Sequence, residues 1–186
     1  MITHKKETVF NGHFDVKKYT ITENNSTYER DICVSKDAVF VLPFDPIAKK
    51  VVLINEKRFG ILPHVSDSIE NIETWSSIAG TVDKDLPLEE IVSLELKEEA
   101  GIDMDDGELI KLVSHYSSPG IMSEKKHLYM FEFDSSNFVE GVFGAEEENE
   151  VTHAKLVSYS EAVKMIDDGN IMDLNVMFAI LKITTM

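Results

Sequence analysis

A single helical stretch set between strands most constrains the fold of this chain. From Pro87 to Ala100 the apolar residues Leu88, Ile91, Val92 and Leu96 recur at helical spacing, and Gly101 follows where a helix stops. Before it, Phe14 to Thr22 alternates like a strand, and Glu23-Asn-Asn-Ser supplies turn chemistry, so short strands are expected from Phe10 to about Lys36. The apolar runs Ala38-Val-Phe-Val-Leu-Pro and Val51-Val-Leu-Ile flank Asp45 to Lys50 as a hairpin, and Phe59 to Thr74 has no clear period and reads as a loop. After the helix, strands are expected around Leu109–His115 and Lys126–Phe133, then a Gly-containing acidic loop from Phe138 to Glu150. Ser160 should cap a short helix (Ala162, Val163, Met165, Ile166) ended by Gly169, and a last apolar helix should run from about Asn175 to Ile183. Strands on both sides of one helix, with helices at the end, imply a mixed α/β domain.

Composition narrows the function classes. The 186 residues allow one domain with a small extension. No apolar run approaches the ~20 residues of a membrane span, and Met1-Ile-Thr-His-Lys-Lys has no apolar segment of a secretory leader, so no membrane partner is expected. Cys33 is the only cysteine, which excludes a disulfide framework or a zinc ribbon within one chain and makes a reducing cytoplasm the default location. The net charge of −16 repels phosphate backbones, so nucleic acid is not an expected partner. A phosphorylated substrate would need divalent cations held by carboxylates, helped by a few well-placed arginines.

The helix carries an oddity. Glu95 lies three residues after Val92 and seven after Leu88, on the apolar stripe, and Glu98 and Glu99 follow at i+3 and i+4 on the same face. Lys97 points elsewhere. Carboxylates converging at the edge of a core suit a hard divalent cation, although the triplet read alone favours a solvated acidic face. Glu146 to Glu150 forms a second acidic cluster in a loop, Ser118 to Glu124 holds a Pro-Gly turn between strands, and Gly80 ends the strand-like run from Trp75. The histidines (His4, His13, His64, His115, His127, His153) show no metal-ligand spacing and read as surface or strand residues.

In order, these elements resemble a known family. The run GTVDKDLPLEEIVSLELKEEAGI from Gly80 to Ile102 is similar to the Nudix box, with Gly80, Glu95, Leu96, Glu98, Glu99, Gly101 and Ile102 in register. FNGHFDV, Arg30-Asp-Ile, AVFVLPFDP, VVLINEKRF, SPGIMSE and GAEEENE extend the resemblance over nearly the whole chain, toward the bacterial ADP-ribose pyrophosphatases. It implies a Nudix-type α/β/α sandwich with a mixed sheet in residues 38–186. Residues 1–37 become a small N-terminal antiparallel β region for dimerisation and adenine contacts. It also implies Mg²⁺-dependent hydrolysis of ADP-ribose to AMP and ribose 5-phosphate, with Mn²⁺ as an alternative ion. Glu95, Glu98, Glu99 and the Ala79 carbonyl would hold the metal, Glu148 would be the general base, and Glu150 a further ligand or positioner. Arg58 would contact phosphate, Phe14 and Arg30 adenine, and Gly80 and Glu124 the substrate. A homodimer with exchanged N-terminal strands is implied.

Two box positions depart from the pattern, Leu86 replacing the first Glu and Leu94 the Arg that helps orient its neighbouring Glu. Both changes go to leucine about two helical turns apart, so an apolar pair is expected to seat the helix in place of a polar one. Two other readings stay open: a Nudix hydrolase acting on another nucleoside diphosphate derivative such as a GDP-sugar, and a catalytically weakened nucleotide-binding Nudix domain.

Overall fold

The computed structural model describes residues 3–12, 14–64, 72–144 and 151–185. Three N-terminal strands, β1 (Thr3–Asn11), β2 (Asp15–Glu23) and β3 (Ser26–Val34), form their own antiparallel sheet. Asn24 and Asn25 both have positive φ, the two-residue turn whose twist suits a tight hairpin. Among the described residues, none of this sheet joins either of the two buried apolar clusters.

The second sheet has eight strands: β4 (Ala38–Asp45), β5 (Lys50–Lys57), β6 (Glu73–Ser76), β7 (Ile78–Thr81), β8 (Gly107–Tyr116), β9 (Lys125–Phe133), β10 (Gly141–Phe143) and β11 (Thr152–Ser158). Their spatial order is β10-β11-β5-β4-β9-β8, with β6 paired to β5 and β7 to β4. Only the central β4–β9 pair is parallel, so the sheet is mixed. Alternation along the strands builds a layer on each face. Val39, Val41, Val52, Ile54, Tyr129 and Phe131 pack with helix α1 (Leu88–Ala100), whereas Leu42, Phe44, Val51, Leu53 and Met130 pack with helices α2 (Tyr159–Asp167) and α3 (Leu174–Thr184). Each such buried side chain is worth roughly 1.5–3 kcal/mol, which is why runs without polar interruption occupy the centre. The expected α/β/α sandwich with an N-terminal antiparallel region is the observed one.

Several local expectations need correction. Leu88 opens α1, and Pro87 is its cap residue without a side-chain bond; Gly101 closes it in the left-handed conformation, with Ile102 N–H donating to the Leu96 carbonyl at 3.0 Å. Ser158, not Ser160, caps α2, its hydroxyl accepting from Glu161 N–H. The stretch after Phe59 is a 3₁₀ helix to His64, and β6 begins before the expected loop ends. β10 is a three-residue strand within the expected acidic loop, stabilised by pairing with β11 rather than by any period of its own.

The β4–β5 turn is stapled by Asp45, which is buried. Its Oδ1 accepts from the N–H groups of Ile47 and Ala48, and its Oδ2 from the N–H and hydroxyl of Ser135. Burial pushes the Asp45 carboxyl up, but these hydrogen bonds together outweigh it and hold it below the usual carboxylate range. A lowered folded pKa means stability that is present above the unfolded value near ~4 and lost as pH falls through the folded one. Asp45→Ala is therefore expected to cost about 2–3 kcal/mol at neutral pH. Urea titration at two pH values checks this, because the gap to wild type should narrow on acidification.

Candidate active site

One open cleft of about 750 Å³ lies where the N-terminal sheet, β4, β7 and α1 approach one another. It is lined by Phe14, Arg58, Ala79, Gly80, Glu95, Glu98, Glu99 and Glu124, so these eight expected residues share one surface. They come from five separate stretches of chain, and no local feature of any one of them requires the meeting. Arg30 does not line the cleft of its own chain. It is exposed on β3, with its guanidinium 4.8 Å from the Tyr28 ring centre and bonded to the Glu29 carbonyl. Glu148 and Glu150 lie outside the described residues.

The helix glutamates are seated by β7. Glu99 is buried, and its Oε2 accepts from the Ala79 N–H at 3.0 Å. Gly80 follows, and a Cβ there would collide with the Glu95 carboxylate, so only glycine lets the glutamate lie against the strand. The chain on either side of residues 145–150 is tied to the same end of α1. Gly144 N–H donates to the Glu98 carbonyl at 3.0 Å and the Thr152 hydroxyl to the Glu99 carbonyl at 3.1 Å.

Arg58 crosses to Glu56, two residues earlier in the chain, and donates to the Ser76 hydroxyl at 2.8 Å. These contacts fix a two-pronged cation in a cleft that it shares with Lys36, Lys84 and several carboxylates, a geometry suited to phosphate oxygens. Glu124 is half-buried and pairs with Lys126 at 3.6 Å. Its turn is stapled to the end of β3, since Cys33 N–H donates to the Ile121 carbonyl and Ser123 N–H to the Cys33 carbonyl.

The donor set fits a hard divalent cation: three carboxylates and a strand carbonyl bordering one cleft, with the glycine that permits their approach. Among the described residues, no three His, Cys, Asp or Glu side chains are already gathered around one point. Glu95, Glu98 and Glu99 each border the cleft.

Leu86 and Leu94 do not seat the helix. Leu86 lies in the bend before α1, not two helical turns from its partner within it, and the two side chains are 39% and 37% exposed. Glu95 and Glu99 take their positions from Gly80 and Ala79 rather than from residue 94. Leu94→Arg is therefore expected to leave kcat/KM within about twofold of wild type, the scale of an ordinary surface change. A gain of tenfold or more in steady-state rates would show that the arginine is needed.

The cleft also contains residues that sequence patterns did not single out: Asp15, Lys36, Asp37, Glu56, Asp83 and Lys84. Glu56 was within reach of inspection, lying two residues before Arg58 in β5. Asp37 was not, because only the junction of β4, β7 and β9 brings it there. His127, expected on the surface or in a strand, is in β9 but buried, bonded to Ser114 and near Asp37.

The chain matches the NUDIX domain family over residues 34–176. It is 28% identical over 172 residues to the ADP-ribose pyrophosphatase of Haemophilus influenzae, covering 89% of this chain and 77% of that one. The ADP-ribose pyrophosphatase of Escherichia coli K12 is 27% identical, covering 89% and 79%. A GDP-mannose pyrophosphatase of Escherichia coli O1:K1 is 31% identical over 147 residues, covering 78% and 72%. No helix among the described residues is long and apolar enough to cross a membrane.

Proposed function

The chain belongs to the NUDIX family and is a Nudix hydrolase, and from that premise we propose that it hydrolyses ADP-ribose to AMP and ribose 5-phosphate with Mg²⁺. The observation carrying this reading is the single cleft that Phe14, Arg58, Gly80, Glu124 and the α1 glutamates share. Coverage does not separate the two kinds of relative: those named ADP-ribose pyrophosphatase align over 89% of the chain, and two named GDP-mannose pyrophosphatase over 78% and 91%.

Glu95, Glu98, Glu99 and the Ala79 carbonyl would hold the ion, with Mn²⁺ able to replace it. The bound ion supplies charge neutralisation at the pyrophosphate and acidity for the attacking water. The chain's own residues do the positioning that phosphoryl transfer mainly requires. Arg58, fixed by Glu56 and Ser76, offers two N–H groups to phosphate oxygens. Phe14, 46% exposed at the cleft, offers a face on which adenine stacks. Glu124 contacts the substrate from the turn before β9. Glu148 takes the proton of the attacking water, and Glu150 assists in holding the site. Water adds to phosphorus as the bridging oxygen leaves with one product phosphate, so the two monophosphates account for all atoms.

Residues 1–37 act as a dimerisation and adenine-binding region, and residues 38–186 as the hydrolase domain. A sheet without buried apolar residues of its own gains them by pairing with a second copy, which would bring Arg30 toward a partner's cleft. A dimeric mass in analytical ultracentrifugation is the expected result; a monomer at micromolar concentration would reject it.

The 31% identity to a GDP-mannose pyrophosphatase supports a second reading in which the substrate is a GDP-sugar. Steady-state rates with ADP-ribose and GDP-mannose, each with Mg²⁺, decide between them. ADP-ribose should give the higher kcat/KM by at least about tenfold, the discrimination of roughly one lost hydrogen bond. The reverse order would transfer the reading to GDP-sugars.

A further inference from the structure

Asp37, His127 and Ser114 form a polar chain that runs from buried sheet to open cleft. The Ser114 hydroxyl lies 2.8 Å from His127 Nδ1, and His127 Nε2 lies 3.5 Å from Asp37 Oδ2. The histidine is buried, with a side chain only 10% exposed, whereas the Asp37 side chain is 41% exposed and lines the cleft. A hydroxyl donating to Nδ1 leaves the ring proton on Nε2, directed at Asp37.

The other side of Asp37 is fixed as well. Its Oδ1 accepts from the Lys125 N–H at 3.2 Å, and its own carbonyl accepts from the Val82 N–H at 2.8 Å. Lys125 opens β9 directly after Glu124, and Val82 follows β7 two residues after Gly80. The next residue, Ala38, pairs with Thr81 on one side and Lys126 on the other. Asp37 therefore sits between the strand that seats the metal-site glutamates and the turn that carries Glu124. Two protein groups contact the carboxylate, which keeps acceptor capacity beyond them and lines the cleft.

A carboxylate held this way is a poor neighbour for phosphate and a good acceptor for hydroxyl groups. We infer that Asp37 accepts a hydrogen bond from a pentose hydroxyl of the nucleoside diphosphate substrate, and that His127, with Ser114 behind it, positions Asp37 for that contact. This rests on the hydrolysis of ADP-ribose proposed above. Asp37 touches substrate, while His127 and Ser114 act through it.

The test compares three compounds with Mg²⁺: ADP-ribose, its analogue lacking the 2′-hydroxyl of the adenosine ribose, and its analogue lacking the 2-hydroxyl of the terminal ribose. Wild type should lose about 10²-fold in kcat/KM on one analogue, mostly through KM, the scale of a hydrogen bond to a charged group. Which analogue suffers identifies the hydroxyl. Asp37→Ala should shrink that gap to within about threefold by slowing ADP-ribose alone. Asp37→Leu, which also lacks an acceptor but keeps more of the side-chain volume, reads the same gap if the alanine variant unfolds. His127→Leu should shrink it too, and His127→Gln, whose amide nitrogen can stand near Nε2, should restore it. A wild type that cleaves all three compounds equally, or Asp37 and His127 variants that discriminate as wild type does, overturns the inference and leaves the hydrolase reading intact. A wild type that cleaves none of the three overturns that reading and this inference with it.

Discussion

Glu99→Gln is expected to lower kcat on ADP-ribose by about 10³-fold, with little change in melting temperature. The size follows from removing one charged ligand of a proposed metal site, a loss of roughly 4 kcal/mol of transition-state stabilisation. The near-silence in stability follows from the geometry. Glutamine keeps an oxygen where Oε2 now accepts from the Ala79 N–H, and it has the same shape in a pocket where the residue is only 5% exposed. Steady-state rates and a thermal melt on the same preparation separate the two effects. A variant with wild-type turnover would remove Glu99 from the metal site, and one that unfolds would reduce its role to holding α1 against β7.

The second large effect is expected at Gly80. A methyl group there would run into the Glu95 carboxylate, which lies against the strand. The obstacle is the far end of a flexible side chain rather than backbone, so the fold should survive Gly80→Ala with a modest stability cost. Glu95 would have to swing away, and a displacement of about 1 Å at such a site can cost roughly 10²-fold in rate. The expected result is a fall of about that size in kcat/KM, with a right-shifted Mg²⁺ activation curve because one proposed ligand is displaced. An unchanged Mg²⁺ curve would mean that Glu95 does not contact the ion.

The parts of this site that depend on local spacing were legible in the sequence. Glu95, Glu98 and Glu99 fall on one helix face by arithmetic, and Gly101 closes that helix in the left-handed conformation its position demanded. The central strands were legible because their alternating residues face opposite apolar layers, leaving long unbroken runs. Features made by distant contacts were not. β10 is three residues long and exists because β11 pairs with it. Leu94 looked like part of a seated apolar pair, yet it is more than a third exposed, and Glu99 is held by the strand through the Ala79 N–H. His127 carries no signal beyond its place in β9, and only the parallel β4–β9 register brings it beside Asp37.

The most direct test of the proposed chemistry is product analysis of ADP-ribose incubated with the pure protein, with and without Mg²⁺. Equal amounts of AMP and ribose 5-phosphate, formed only when the metal is present, are the expected result. Cleavage that proceeds unchanged in a chelator would contradict the metal-dependent mechanism, and tight binding of ADP-ribose without any cleavage would contradict ADP-ribose hydrolysis itself.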